Sequence, residues 1–336
     1  LKPFWLKLPP RPPCSPVTMA AAATGRRVTS VAAAAAAASA TPRPAGWPGG
    51  APPGRRALQN LILQAASRRD AEGILAVVRE HGEVLGPVSI ATALHRVAKV
   101  LRYSPEDVRR RGLAALRRPL LAALPELRAQ GLANGVWALA TLHCEDEELL
   151  TSLCTTASAQ LASLQGKHLS NFAWALATLR RSSESLLAGL STEISRRAQA
   201  SCLTPQSLSN IIWSYATLYE WDPKVFESVY RCSLAAAREF NPRDLANTLW
   251  AFTVYPERGA LHAPLFIALA SASCDRAASL PPQDLTSIVW AFAEERQGLP
   301  GGRRQRRARS AGAACGGGGF DFAGATCGGE GFELVE

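Results

Sequence analysis

Leu169-Ser170-Asn171-Phe172-Ala173-Trp174-Ala175-Leu176-Ala177-Thr178-Leu179 decides how this chain is read, because close variants of it recur at a nearly fixed interval. Five tryptophans, Trp137, Trp174, Trp213, Trp250 and Trp290, carry the recurrence, and their numbers differ successively by 37, 39, 37 and 40. Five positions before each Trp stands a leucine: Leu132, Leu169, Leu208, Leu245 and Leu285. Three positions before it stands an asparagine in four copies (Asn134, Asn171, Asn210, Asn247), with Ser287 in the fifth. A degenerate copy precedes them, in which Ile90, Thr92, His95 and Ala98 keep the register. Self-similarity at such a period marks a repeat architecture, since a single unit cannot bury its own apolar face and must stack on its neighbours.

Each unit reads as two helices. Thr204-Pro205, Asp222-Pro223 and Asn241-Pro242 place a capping side chain before a proline, whose missing N–H costs nothing in a first helical turn. After the Trp-bearing helix comes a second apolar periodicity: Leu150, Leu153, Ala157, Leu161 and Leu164 in one copy, Leu186, Leu190, Ile194 and Ala198 in another. The expected fold is all-α, an α-solenoid of stacked two-helix repeats of about 38 residues. It spans residues 57–296, with a degenerate first unit and an incomplete last one, in which Glu294-Glu295 replace the expected Thr-Leu.

At about 100° per residue, positions −5, −2, −1, +2 and +5 from the Trp form an apolar core stripe. The opposite side carries the Trp, the Asn at −3, small residues at −4 and +1, Thr at +4 and the side chain at −7. That last position is polar in all five copies: Gln130, Lys167, Gln206, Arg243 and Gln283. Stacking would align these stripes along one surface. Two readings compete there. Either Trp and Asn serve packing between repeats, or the Asn and the side chain at −7 face a groove and hydrogen-bond a linear ligand. On the second reading Trp213→Ala damages the fold, whereas Gln206→Ala spares it and weakens binding. Arg109, Arg110 and Arg117 form a further candidate patch, although Glu106 and Asp107 can neutralise neighbouring arginines at i+4 spacing.

Net charge is +10, but it is unevenly placed. Residues 1–56 carry eight Lys/Arg and no acid, whereas residues 57–300 carry 24 basic and 23 acidic side chains. Bulk electrostatics therefore give the array no preference for a polyanion. Residues 1–56 also hold 11 of the 23 prolines and the run Ala32 to Ala38, the composition of a transit peptide or a low-complexity tail. A secretory-type leader around Arg26-Arg27 and Ala38-Ser39-Ala40 stays open as well. The first residue is Leu1 and the single Met is Met19, which suits either a fragment or an upstream extension of the reading frame. Residues 297–336 read as a Gly/Arg-rich disordered tail.

The eight cysteines show no C-x-x-C pair, so reduced thiols are expected rather than a disulfide framework or zinc site. No nucleotide-binding loop, metalloprotease or nucleophile-elbow motif occurs, and the five histidines never pair at ligand spacing. The expectation is a protein without catalytic activity, cofactor, metal, membrane span or small-molecule substrate.

The Leu-x-Asn-x-x-Trp-Ala-x-Ala-Thr-Leu unit resembles the octotricopeptide and heptatricopeptide helical repeats of organellar RNA-binding proteins, including the FAST-kinase-like group and helical-repeat subunits of mitochondrial RNA-editing complexes. The segment Ile90 to Lys99 is similar to the lead-in of such arrays. The resemblance covers roughly residues 57–296, and nothing similar to their C-terminal RAP domain is evident. It implies a mitochondrial or plastid protein that binds single-stranded RNA and acts in RNA processing, stability or translation, with ribonucleoprotein or RNA-processing subunits as further partners. An armadillo- or HEAT-like protein-interaction scaffold is the alternative.

Overall fold

Capping side chains and proline starts place the helices where the sequence suggests. Thr204 accepts from Ser207 N (3.2 Å), Asn241 from Asp244 N (2.8 Å), and Asp222 from Lys224 N (2.9 Å) and Val225 N (3.3 Å). The computed structural model describes residues 54–298, apart from 145 and 256–258. The expected targeting segment 1–56 and the expected tail 297–336 lie outside the described residues except at their inner ends, where one helix already begins at Arg55 and another runs on to Gly298.

Among the described residues the chain forms thirteen α-helices and no strand. They are α1 (Arg55–Ser67), α2 (Ala71–His81), α3 (Pro87–Leu101), α4 (Glu106–Ala123), α5 (Ala129–Thr141), α6 (Glu147–Ser158), α7 (Gly166–Leu179), α8 (Glu184–Gln199), α9 (Pro205–Leu218), α10 (Pro223–Ala235), α11 (Pro242–Thr253), α12 (Gly259–Cys274) and α13 (Pro282–Gly298). None is long and apolar enough to cross a membrane. The protein is all-α.

The five Trp-bearing helices are α5, α7, α9, α11 and α13, and α3 carries the degenerate motif. Each of these six packs on the next in chain order, and these are the most extensive contacts among the helices. The intervening helices α4, α6, α8, α10 and α12 also pack each on the next, and every motif helix from α3 to α11 touches the helix that follows it. A further pair, α1 and α2, precedes the degenerate copy; Leu58 and Ile62 of α1 are buried, and α1 packs on α3. This pair lacks the motif, which is why the sequence pattern does not reveal it.

The apolar spacing Leu186, Leu190, Ile194 and Ala198 lies within α8, but α6 is shorter than its spacing predicts. Leu161 and Leu164 do not continue α6, which ends at Ser158; a single 3₁₀ turn, Leu161–Ser163, intervenes, and Leu164 follows in extended conformation. The same device recurs at Leu124–Glu126, Ala237–Glu239 and Ala277–Ser279. Each turn is followed by one buried apolar residue ten positions before the Trp: Leu127, Leu164, Phe240 and Leu280. That residue plugs the junction and turns the chain into the next motif helix at these four junctions, whereas α8 runs to Gln199 and reaches α9 without a 3₁₀ turn.

Hydrogen bonds across the period tie these junctions together. Gln160 donates to the carbonyl of Leu127 (3.0 Å), Arg197 to that of Ala162 (3.0 Å), and Arg276 to those of Phe240 (2.6 Å) and Arg238 (3.2 Å). Each acceptor lies about one period earlier in the chain. A carbonyl left without an intrahelical partner in one turn is thereby satisfied by a side chain from the next.

Candidate nucleic-acid interface

A motif helix flanked on both sides by others of its kind has little surface left. In α5, α7, α9 and α11 the residues at −5, −4, −2, −1, +1 and +2 are all buried. The small residues at −4 and +1, expected on the polar stripe, are therefore the points where adjacent motif helices meet. What surface remains lies along a narrow ridge drawn from −7, −3, 0 and +4, positions that fall within about 60° of one another at about 100° per residue.

Along this ridge the side chains at −7 are the outermost. Gln130 and Gln283 are exposed, and Lys167, Gln206 and Arg243 are half-buried. At −3, Asn134 and Asn247 are half-buried, but Asn171 and Asn210 are buried, with 6% and 4% of their surface accessible. These two are thus corrected from surface contacts to interior ones: each sits where the neighbouring motif helices close over it. The indoles divide in the same way, Trp137 and Trp250 being buried while Trp174, Trp213 and Trp290 are half-buried. The His95 ring, at the Trp position of the degenerate copy, meets Trp137 edge-on at 4.9 Å, so equivalent ridge positions of α3 and α5 touch.

The ridge is hydrogen-bonded between repeats. Gln165 N–H donates to His168 Nδ1 (3.1 Å), which leaves the proton on Nε2, and Nε2–H then donates to Gln130 Oε1 (3.2 Å). Gln130 Nε2 in turn donates to Asn134 Oδ1 (2.9 Å). The α5 side chains at −7 and −3 are thereby fixed by the one at −6 of α7. Burial, assisted by Lys167 and Arg197, holds the His168 imidazole down to about 4, which keeps it neutral and able to accept at Nδ1. Burial with Arg96 and Lys99 does the same to His95, also to about 4.

Position −6 continues as a buried polar column: His168, Ser207, Asp244 and Asp284. Burial pushes the Asp244 carboxyl up to about 6, opposed by the Ser209 hydroxyl and Arg243 and reinforced by Asp284. Four ridge atoms, Trp137 Nε1, Thr141 Oγ1, Asn171 Nδ2 and Thr217 Oγ1, are buried without a protein partner. Polar groups so placed are costly to fold.

The arginine patch lies on α4, in the layer of second helices, and does not join the ridge. Arg110 is exposed and Arg109 half-buried. Arg111 pairs with Asp107 at 2.9 Å, as the i+4 spacing suggests. Arg117 is withdrawn from the candidate surface: it binds Asp146 (2.5 Å) and Glu148, pinning α4 to the start of α6. Its hydrogen bond holds the Asp146 carboxyl below the usual carboxylate range, and Asp146 also caps α6 by accepting from Leu149 N (3.0 Å). Acidic residues before a helix are explained locally by its N-terminal charge, and no sequence pattern joins these to Arg117 in the preceding hairpin.

No protein-family model matches this chain, and no curated protein matches it significantly. Among the described residues no cluster of three or more His, Cys, Asp or Glu could hold a metal ion. Cys144, Cys154, Cys202, Cys232 and Cys274 are not joined in disulfides. What sequence reasoning missed is the buried column at −6 and the inter-repeat donors Gln160, Arg197 and Arg276. That column mixes His, Ser and Asp, so no repeated letter marks it, although its polarity beside a leucine at −5 was visible.

Proposed function

We propose that this protein is an α-solenoid of two-helix repeats that binds single-stranded RNA along the row of ridges, within a mitochondrion or plastid. One observation carries the reading: the side chain at −7 reaches the surface on each of five successive motif helices that pack side by side, and none of the five is acidic. A row of evenly repeated hydrogen-bonding ridges suits a linear polymer, and half-buried Trp174, Trp213 and Trp290 add aromatic edges beside it. The surviving contact residues are Gln130, Lys167, Gln206, Arg243, Gln283, Asn134 and Asn247. The resemblance to octotricopeptide-type repeats supports RNA as the polymer and a role in its processing, stability or translation, carried out by binding rather than catalysis. The acid-free, proline- and alanine-rich N-terminal composition supports organellar import.

Because residues 57–300 are nearly neutral, binding would depend on hydrogen bonds and stacking more than on counterion release. Fluorescence anisotropy with labelled single-stranded RNA over a salt series tests this. The expected outcome is binding with a shallow salt slope, weakened at least tenfold in the Lys167→Ala/Gln206→Ala double variant, with unchanged thermal unfolding. Absence of binding at low salt overturns the proposal. The same near-neutrality favours the second reading, a peptide-binding scaffold of armadillo or HEAT type; displacement of the RNA by an extended peptide would support it.

A further inference from the structure

The last turns of α1 and α3 end side by side and flank a half-open cleft of about 430 Å³. Arg69, Arg96, Lys99 and Arg102 line it, Leu63 and Val100 contribute apolar surface, and no Asp or Glu belongs to the lining. Arg96, Lys99 and Arg102 recur at every third position and so share one face of α3 and its C-cap, while Arg69 arrives from beyond α1 on a left-handed backbone (φ 57°). Asp70, next in sequence to Arg69, is engaged elsewhere: its carboxylate caps α2 by accepting from Gly73 N at 2.8 Å. Two helix C-termini supply only roughly half a negative charge each, which Arg69 and Lys99 by themselves outweigh. The field of Arg96 and Lys99 is felt by the buried His95, whose protonation it opposes.

Tyr103 completes the cleft. It is 62% exposed, and the Arg102 guanidinium lies over its ring at 4.7 Å from the centroid. Such an aromatic platform, backed by a cation and set beside a cationic cleft of ligand-pocket size, matches a nucleotide: a planar base joined to a phosphate.

We infer that this cleft is a nucleotide-phosphate site, in which Arg69 and Lys99 hold a phosphate and Tyr103 stacks a base. It rests on the RNA reading only in taking that nucleotide from a strand leaving the row of ridges at α3; a free mononucleotide offers the same chemistry.

Titration calorimetry of the full chain with adenosine 5′-monophosphate, adenosine and inorganic phosphate provides the test, together with RNA anisotropy on the Arg69→Gln/Lys99→Gln and Tyr103→Ala variants. The expected result is that the monophosphate binds at least tenfold more tightly than adenosine and than inorganic phosphate. The double variant should lose that preference over adenosine and bind RNA about tenfold more weakly, with a salt slope lower by about 0.7 per lost phosphate contact. Tyr103→Ala should lose the preference over inorganic phosphate. Equal binding of monophosphate and adenosine, or a double variant that binds the monophosphate as the parent does, overturns the site. Monophosphate binding without RNA binding keeps the cleft and refutes the ridge proposal. RNA binding unaffected by the double variant, in a protein that ignores the monophosphate, does the reverse.

Discussion

His168 shows how a single side chain acquires a role that its place in the sequence does not reveal. It stands one residue before the recurring motif at a position that no repeated letter marks, yet it closes the N-terminus of α7 and reaches Gln130 on the preceding motif helix. His168 and His95 titrate near 6.5 when unfolded and near 4 when folded, so the unfolded chain binds more protons between those values. Their stabilisation is complete above about pH 6.5 and is lost as pH falls towards 4, on the order of 2 kcal/mol for each. Asp244 works the other way: raised from 3.8 to about 6, it contributes below pH 3.8, and that contribution disappears as pH rises through 6. Thermal unfolding followed from pH 7 to 4.5 should therefore show a smaller acid loss in His95→Phe, which keeps the ring contact with Trp137; equal losses would refute the assignment. A second residue-scale prediction concerns the ends of the motif helices. His143, Arg180 and Tyr219, each six positions after the Trp, adopt φ of 52°, 53° and 58°, a left-handed cap normally given to glycine. Arg180 is exposed, so Arg180→Gly should raise stability by about 0.5–1 kcal/mol in urea unfolding. No glycine signals this cap in the sequence, which is why it is legible only from the backbone.

Helix starts were legible because they are local: a capping oxygen and a proline act within one turn, and Thr204, Asp222 and Asn241 cap as their neighbours imply. Helix ends were less so. Leu161 and Leu164 keep an apolar spacing that fits a continued α6, but Leu161 instead reaches into α8, where a Cβ on Gly189 would stand 2.3 Å from its Cδ1. The choice between one more helical turn and a 3₁₀ turn is made by the packing of α8, the second helix of the following hairpin. The side-chain bridges between periods belong to the same scale. Arg276 donates to three carbonyls, Ala272, Phe240 and Arg238, and two of these lie one period earlier. Arg276→Ala should cost about 1.5–3 kcal/mol. A urea midpoint unchanged by that substitution would show the bridge to be incidental.

Among the described residues the Trp-bearing helices do not enclose their core positions equally. The core positions −5 and −1 are fully buried or nearly so in α5, α7, α9 and α11, yet in α13 Leu285 is 39% and Val289 59% exposed. Ile212→Ala, at −1 in α9, should therefore cost about 2–5 kcal/mol, while Val289→Ala should change stability by less than about 0.5 kcal/mol. Amide hydrogen exchange should likewise be slowest in α7 and α9, each packed on a motif helix on either side, and fastest in α13, whose Leu285 and Val289 stand open. The candidate interface follows the same logic. Four asparagines occupy one motif position, but Asn171 and Asn210 are enclosed while Asn134 and Asn247 are half-open. Identical letters in identical register thus have different fates, because enclosure is set by the packing of neighbouring helices and not by the residue's own stretch of chain. By itself the sequence determined the all-helical class, the period and the register of the motif, since each follows from recurring spacing and short-range capping. Only the tertiary structure decided which ridge residues surface, where Arg117 spends its charge and that four cations meet in one cleft, because all three are contacts between segments that no local pattern joins.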